Sequence, residues 1–317
     1  MTSGVRRLFV ALAALATIGA FPSCAESGEA GGADPTAAGK PVTATGRPRD
    51  DDRWHGYAEN PAPPSERFRV RLRKRPAAGM VFDVRTGRVL WARRPRMRRP
   101  IASLTKMMTA ILVGDGLPQG ATVKITRETL DFEGSGVGVF RRGQRIDADT
   151  MLYGLLLPSG NDAAIALAQR VAGSVPAFVT DMNRRARSLG LTCTRFSSPS
   201  GILDRRNFSC ARDLARLGRE VLRRPRLREI VGMPYAQRRY PSRKRRKFYF
   251  ANNNTLMRRG YGGVTGVKTG YTDAAGSCLV ATVRRGGRHL GVVLLDSPDT
   301  GEQGGRLLDE AFRRVLR

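Results

Sequence analysis

The sequence predicts an α+β fold: an antiparallel sheet flanked by helices, with a helical region inserted between the parts of the sheet. Three observations predict it. Two short β-patterned runs, Ala78 to Asp83 and Arg88 to Ala92, come early. A long stretch with helical periodicity follows, and three β-rich runs with an amphipathic helix close the chain. Strands and helices segregated in blocks fit this class.

Each element has its own signal. The early runs are joined by the turn Arg85-Thr86-Gly87. A helix is expected from about Ser103 to Val113, with Leu104, Met107, Met108, Ile111 and Leu112 as its apolar set. Thr122 to Ile146 reads as β- and turn-rich. Gly134, Gly136 and Gly138 alternate there with no helix behind them, so a tight turn is expected and not a dinucleotide loop. Asp149 to Leu157 reads as a helix broken at Pro158-Ser159-Gly160, and Asn161 or Asp162 is placed to cap the next helix, through Val171. Further helices are expected near Val175 to Leu189, Ala211 to Leu222 and Arg226 to Val231. The pattern then changes to strands at Val264 to Tyr271, Ser277 to Val283 and His289 to Leu295. A last helix is expected over Arg306 to Leu316.

Ahead of these elements, residues 1–25 read as an export signal or N-terminal anchor. Arg6 and Arg7 precede an apolar stretch, Leu8 to Ala20, and Ser23-Cys24-Ala25 offers small residues for cleavage. Thirteen residues rise only about 20 Å as a helix, short of a ~30 Å hydrocarbon core. Lipid attachment at Cys24 is a rival reading, although Phe21-Pro22 suits it poorly. All these readings put the rest of the chain outside the cytoplasm, in the cell envelope or secreted. Residues 26–66 read as a disordered tether, and 67–317 as the folded domain.

Lys and Arg number 56 against 27 Asp and Glu, a net charge of +29. Basic runs lie at Arg67 to Arg75, Arg93 to Arg99 and Arg238 to Lys247. None is interleaved with aromatics as in a nucleic-acid-binding module, so no nucleic-acid partner is expected. The charge reads first as a compositional habit spread over solvated faces; as a binding feature in an exported protein it would suit anionic envelope surfaces. Cys193 and Cys210 flank a turn-rich loop; they are either bridged or two separately buried thiols. Cys278 reads as a small core residue. No spacing resembles a metal site.

The chemistry begins at Ser103 and Lys106. Three residues apart at a helix start, they project from one face. Serine becomes a good nucleophile only beside a base, and a buried lysine kept neutral can be that base. Ser159-Gly160-Asn161 sits at a helix break, a rigid place for a hydroxyl and an amide. Lys268-Thr269-Gly270 lies in an expected strand, where the glycine admits another backbone. The two histidines, His55 and His289, offer little for a Ser-His-Asp site. Serine-lysine, serine-x-asparagine and lysine-threonine-glycine, in this order, mark the penicillin-recognising serine enzymes.

The segments Ile101 to Ala110, Leu155 to Ala164 and Gly266 to Gly276 resemble those of the D-alanyl-D-alanine carboxypeptidase family, the low-molecular-weight penicillin-binding proteins. Met182-Asn183, Leu189 to Leu191 and Ser209 to Asp213 also match, so the resemblance spans about 78 to 317. It implies a β-lactamase/transpeptidase-like fold and no cofactor. The implied substrate is the peptidoglycan stem peptide, with β-lactams as acylating inhibitors. In the implied chemistry Ser103 attacks the D-Ala-D-Ala bond, Lys106 takes its proton, and Ser159 relays a proton to the leaving amine. Asn161 orients Lys106 and the substrate. Lys268 and Thr269 hold the terminal carboxylate beside Gly270, and the N–H groups of Ser103 and Tyr271 form the oxyanion hole.

Three rivals share parts of this pattern. A class A β-lactamase needs a glutamate for its deacylating water, and between Asn161 and Lys268 only Glu220 and Glu229 occur, both in basic helices. A muropeptide endopeptidase shares every motif. A wall-binding or β-lactam-sensing module would not need all the reactive residues. Many family members carry a further β-rich domain and a C-terminal membrane helix. With the chain ending at Arg317, retention is expected from the N-terminal segment or the basic surface.

Overall fold

Val264 to Leu295 supplies three strands that fold back on one another through short turns, and the second of these turns is Gly286-Gly287. Both glycines have positive φ, the backbone a two-residue hairpin turn requires. The computed structural model describes residues 56–202, 206–239 and 247–317. In chain order it begins with the hairpin β1 (Ala78–Asp83) and β2 (Val89–Arg93), the two-residue β3 (Arg99–Pro100), a 3-10 turn (Ala102–Thr105) and α1 (Lys106–Gly116). Next come β4 (Thr122–Lys124), the one-turn α2 (Arg127–Leu130), β5 (Arg145–Asp147), α3 (Ala148–Leu156), α4 (Asn161–Ala172) and α5 (Val175–Ser188). The chain continues through β6 (Phe208–Ser209), α6 (Ala211–Arg223), α7 (Pro225–Gly232), and the ribbon β7 (Tyr235–Arg239) and β8 (Lys247–Ala251). It closes with α8 (Thr255–Arg258), β9 (Val264–Thr272), β10 (Gly276–Arg285), β11 (Arg288–Leu295) and α9 (Thr300–Val315).

The main sheet has the order β2-β1-β11-β10-β9, antiparallel throughout. Its first two strands and last three strands enclose the helical region in sequence, as the pattern predicts. Side-chain alternation splits the apolar residues between two cores. Met80, Phe82, Val280 and Val293 face the helical region, around α1. Val81, Leu279, Val292 and Leu294 face α9. Burial on both faces explains why β10 and β11 read as unbroken apolar runs. Each fully buried Val or Leu side chain contributes about 1.5–3 kcal/mol.

Several boundaries differ from expectation. Residues 26–66 were expected to be a tether, but the described part, 56–66, is packed. Tyr57 is buried and its hydroxyl donates to Val84 O at 3.0 Å. Glu59 pairs with Arg212 and Arg216, and Pro61 bridges Val89. Isolated contacts of this kind leave no periodicity to read. The segment 1–55, with the export signal and His55, lies outside the described residues. The last helix starts at Thr300, six residues earlier than expected, because Asp299 caps it by accepting from Glu302 N at 2.8 Å. Three early glycines hide this first turn, and Gly304 is used for close packing against Leu279. The ribbon β7–β8 was missed because its sequence reads as a basic run. It alternates strictly, with Phe248 and Phe250 buried between exposed Lys247, Tyr249 and Ala251.

Candidate active site

Ser103 lies in the 3-10 turn, and Lys106 is the first residue of α1. The helix expected from Ser103 therefore starts three residues later. The difference favours the site, because side chains three apart eclipse in a 3-10 turn. Lys106 Nζ and Ser103 Oγ are 2.9 Å apart. The turn stays fixed because Ile101, Leu104 and Met107 are buried beneath it.

Lys106 is fully buried and has three partners. Besides Ser103 Oγ, it donates to Asn161 Oδ1 at 2.7 Å and to Ser200 O at 2.9 Å. The orientation of the Asn161 amide follows from its other end, where Nδ2 donates to Glu133 O at 2.6 Å. Two of the three partners can only accept. A neutral amine has two N–H bonds and one lone pair, so those acceptors use both N–H bonds and leave the lone pair for the Ser103 hydroxyl. Burial drives the Lys106 pKa well below the usual lysine value, and the neighbouring Lys268 adds to the fall.

Asn161 owes its position to a clamp that the sequence did not reveal. The α4 N-cap is Gly160, not Asn161 or Asp162, and it makes no side-chain cap bond. Asn161 and Asp162 are instead the first helical residues. The Asp162 carboxylate accepts from Val137 N at 2.9 Å and Gly138 N at 3.0 Å, and Ser135 O accepts from Asn161 N at 2.9 Å. The alternating glycines thus form a loop gripping the start of α4. A Cβ at Gly160 would come within 2.7 Å of Val137 and Asp162, so the motif's glycine is a spatial requirement. Ser159 adopts φ +75°. Its buried Oγ has no hydrogen-bond partner among the described residues, which leaves the hydroxyl free for a ligand.

The far wall is β9. Lys268 is buried, and Nζ donates to Thr269 O at 3.0 Å. Thr269 Oγ1 donates to Asn253 O at 3.3 Å. Tyr271 is 63% exposed, with its hydroxyl on Asp273. Gly270 lets the strand pass the serine: a Cβ there would lie 3.0 Å from both Ile101 O and Ser103 N. The structure thus brings Ser103, Lys106 and Asn161 into direct contact and lays the Lys268 strand against the backbone of Ser103.

Burial lowers the Lys268 pKa to about 7. Between that value and the ordinary lysine value, the unfolded chain binds a proton that the folded chain does not. Stability should therefore rise with pH from about 7 to about 10.4 and lose this contribution as pH falls to 7. Thermal melts over that range should show the rise, and Lys268→Met should reduce it, leaving the part that the buried Lys106 contributes with the same sign. An equal rise in the variant would refute the assignment.

A third segment supplies the carbonyl below Lys106. Pro199 O accepts from Thr109 Oγ1 at 2.7 Å, and Ser200 O accepts from Lys106. This loop is closed by a disulfide between Cys193 and Cys210, with Cα atoms 5.7 Å apart. Asp213 fastens its start, accepting from Cys193 N at 2.7 Å and Thr194 Oγ1 at 2.8 Å. Asp213 and the two sulfurs lie together, but the bridge occupies both thiols, so they are not available as metal ligands. A bridge across 17 residues contributes about 3 kcal/mol. Cys193→Ser/Cys210→Ser should lose about that much in urea unfolding, and turnover should fall with it. Unchanged turnover would show that Ser200 O is held without the bridge.

His289 lies elsewhere. It pairs with Arg284 on β10, six residues from Cys278, which pairs with Gly270; that is roughly 20 Å along the strand. Its Nε2 lies 3.0 Å from Thr265 Oγ1, and burial lowers its pKa to about 4. Glu220 is engaged by Arg224 at 2.8 Å, and Glu229 is exposed on α7. Cys278 is buried in β10, as expected.

Residues 72–299 match the family described as D-alanyl-D-alanine carboxypeptidase. The chain is 33% identical over 243 residues to the D-alanyl-D-alanine carboxypeptidase DacF of Bacillus subtilis (strain 168), covering 74% of this chain and 61% of that relative. It therefore spans only about three fifths of that relative's length. It is 36% identical over 245 residues to a D-alanyl-D-alanine endopeptidase of Pseudomonas aeruginosa, covering 74% of this chain and 76% of the relative. The fold is similar to the crystal structure of a D-alanyl-D-alanine carboxypeptidase from Mycobacterium tuberculosis H37Rv. That likeness has a TM-score of 0.71 at 33% identity and covers 77% of this chain and 94% of the other. The α+β architecture and the extent of the match lead to one assignment: the chain belongs to the D-alanyl-D-alanine carboxypeptidase family.

Proposed function

We propose that this protein is a serine-type D-Ala-D-Ala carboxypeptidase that removes the terminal D-alanine from peptidoglycan stem peptides. The observation that carries the reading is the Ser103–Lys106–Asn161 contact set beside a buried lysine on β9. Ser103 Oγ attacks the penultimate D-alanine carbonyl while its proton passes to the Lys106 lone pair. The oxyanion is received by the N–H groups of Ser103 and Tyr271, where losing one donor typically costs about 2.7–4 kcal/mol. The unpartnered Ser159 hydroxyl hands its proton to the departing amine and takes in return the one held by Lys106, so that both groups regain their starting protonation. Water then hydrolyses the ester on Ser103 and releases the shortened peptide. Lys268 and Thr269 hold the terminal carboxylate, which directs the serine to peptide ends. The substrate and the proposed role of residues 1–25 in export are consistent with action outside the cytoplasm.

D-alanine release from a pentapeptide ending in D-Ala-D-Ala tests the activity, and Ser103→Ala should abolish it. With Glu220 paired to Arg224 and Glu229 exposed on α7, no glutamate among the described residues of that stretch serves a deacylating water. Penicillin should therefore remain on Ser103 for minutes or longer, read as a persistent fluorescent-penicillin band. Rapid repeated hydrolysis of penicillin would instead identify a β-lactamase. The likeness to an endopeptidase favours a second reading, cleavage of crosslinks between stem peptides. Mass analysis of products from crosslinked muropeptides distinguishes the two.

A further inference from the structure

Within the basic run Arg67 to Arg75, residues 67–73 keep a two-residue alternation that catalysis does not use. Phe68 and Leu72 are buried and Val70 is half-buried, whereas Arg67, Arg69, Arg71 and Arg73 are exposed. Phe68 and Val70 pack into the core on the α9 side of the sheet. The guanidinium groups are thereby set out at every second residue, roughly 7 Å apart if extended. Together with β2, the edge strand, this run bounds a groove of about 1110 Å³. Arg67, Arg69, Arg75, Arg93, Arg94 and Arg314 line it, and no acidic side chain does among the described residues. Arg93 donates to Pro76 O, and Arg314 pairs with Glu310. Arg67, Arg69, Arg75 and Arg94 have no acidic partner among the described residues.

A concave site lined with like charges concentrates counter-ions of the opposite sign. We infer that this groove binds a linear phosphodiester polymer of the cell envelope and tethers the enzyme beside its substrate. Charge complementarity selects a polyanion, and the forked guanidinium suits phosphate oxygens, which it can hold through two parallel bonds. A membrane fits poorly: the groove is concave, and none of the large exposed hydrophobic side chains lines it. Single-stranded nucleic acid would use exposed aromatic faces for stacking, and here Phe68 is buried and Trp91 half-buried. A protein partner would find Val70, Val89 and Trp91 only half-exposed between six arginines, with no acidic side chain in the groove among the described residues to pair with its own basic groups. The envelope location rests on the proposed function; the groove's chemistry does not.

The test measures binding of fluorescent poly(glycerol phosphate) to the full chain over a salt series. Arg67→Ser/Arg69→Ser/Arg94→Ser should weaken binding about tenfold or more at low salt, and the salt dependence should flatten by roughly three counter-ions. Arg67→Lys/Arg69→Lys/Arg94→Lys should recover much of the loss. Arg142→Ser/Arg145→Ser/Arg187→Ser removes the same charge from exposed positions outside the groove and should have a much smaller effect. Equal losses in the two serine triples would overturn the inference, leaving only diffuse charge. So would groove-dependent preference for an oligodeoxythymidylate of matched charge or for phosphatidylglycerol vesicles. Because binding is read without catalysis, and both triples should still acylate Ser103 with penicillin, failure here is distinct from failure of the proposed function.

Discussion

Lys106→Met should lower kcat/KM for D-alanine release by roughly 10²–10⁴, the usual contribution of a positioned general base. Methionine nearly matches the lysine stem in length, and it removes a fully buried amine whose protonation the site disfavours. The fold should therefore survive. What disappears is the lone pair aimed at Ser103 Oγ. Ser200 O and Asn161 Oδ1 lose their donor, a cost of about 1–3 kcal/mol for each buried acceptor left unpaired. Penicillin acylation should slow together with peptide turnover, because both begin with the same proton transfer. Stopped-flow acylation and steady-state release check this on one preparation. A variant that acylates at the parent rate would show that another group takes the proton.

The second large effect is expected at Gly201, a residue with no reactive group. Its φ is +80°, and a Cβ there would overlap Ala102 O and come within 2.5 Å of Thr105 Oγ1. The left-handed backbone alone costs a non-glycine residue about 1–2 kcal/mol. The overlap then forces apart the turn that carries Ser103 and the segment whose Ser200 O holds Lys106. Misplacement of about 1 Å can cost on the order of 10²-fold in rate. Gly201→Ala should therefore lose stability in urea unfolding and also lose kcat, with KM changing much less. Loss of stability with an unchanged kcat would mean that the Ser200 carbonyl does not position Lys106.

These two positions show where the sequence was informative and where it stopped. Ser103 and Lys106 were legible because their chemistry is carried by side chains at a fixed local spacing. The sheet was legible because alternation and β-branched runs are local signals too. Gly201, Ser200 O and Asp162 were not: they act through a backbone conformation, a carbonyl and a loop contact, none of which leaves a side-chain pattern. Asp162 looked like an ordinary cap because it adjoins a helix start, and only the folded loop at Val137 and Gly138 reveals its use. The start of α9 was hidden by glycines that weaken helix propensity yet allow close packing. The charge was plain as a total, but the groove along β2 needed the fold to bring two basic runs together.

The proposed chemistry requires an ester between Ser103 and the stem peptide. Its most direct test is mass spectrometry of the protein quenched in acid during turnover of a D-Ala-D-Ala pentapeptide. An adduct with the mass of the peptide lacking its last alanine residue is expected, mapped to the peptide containing Ser103 and absent from Ser103→Ala. Turnover that leaves Ser103 unmodified while another residue carries the adduct would contradict it.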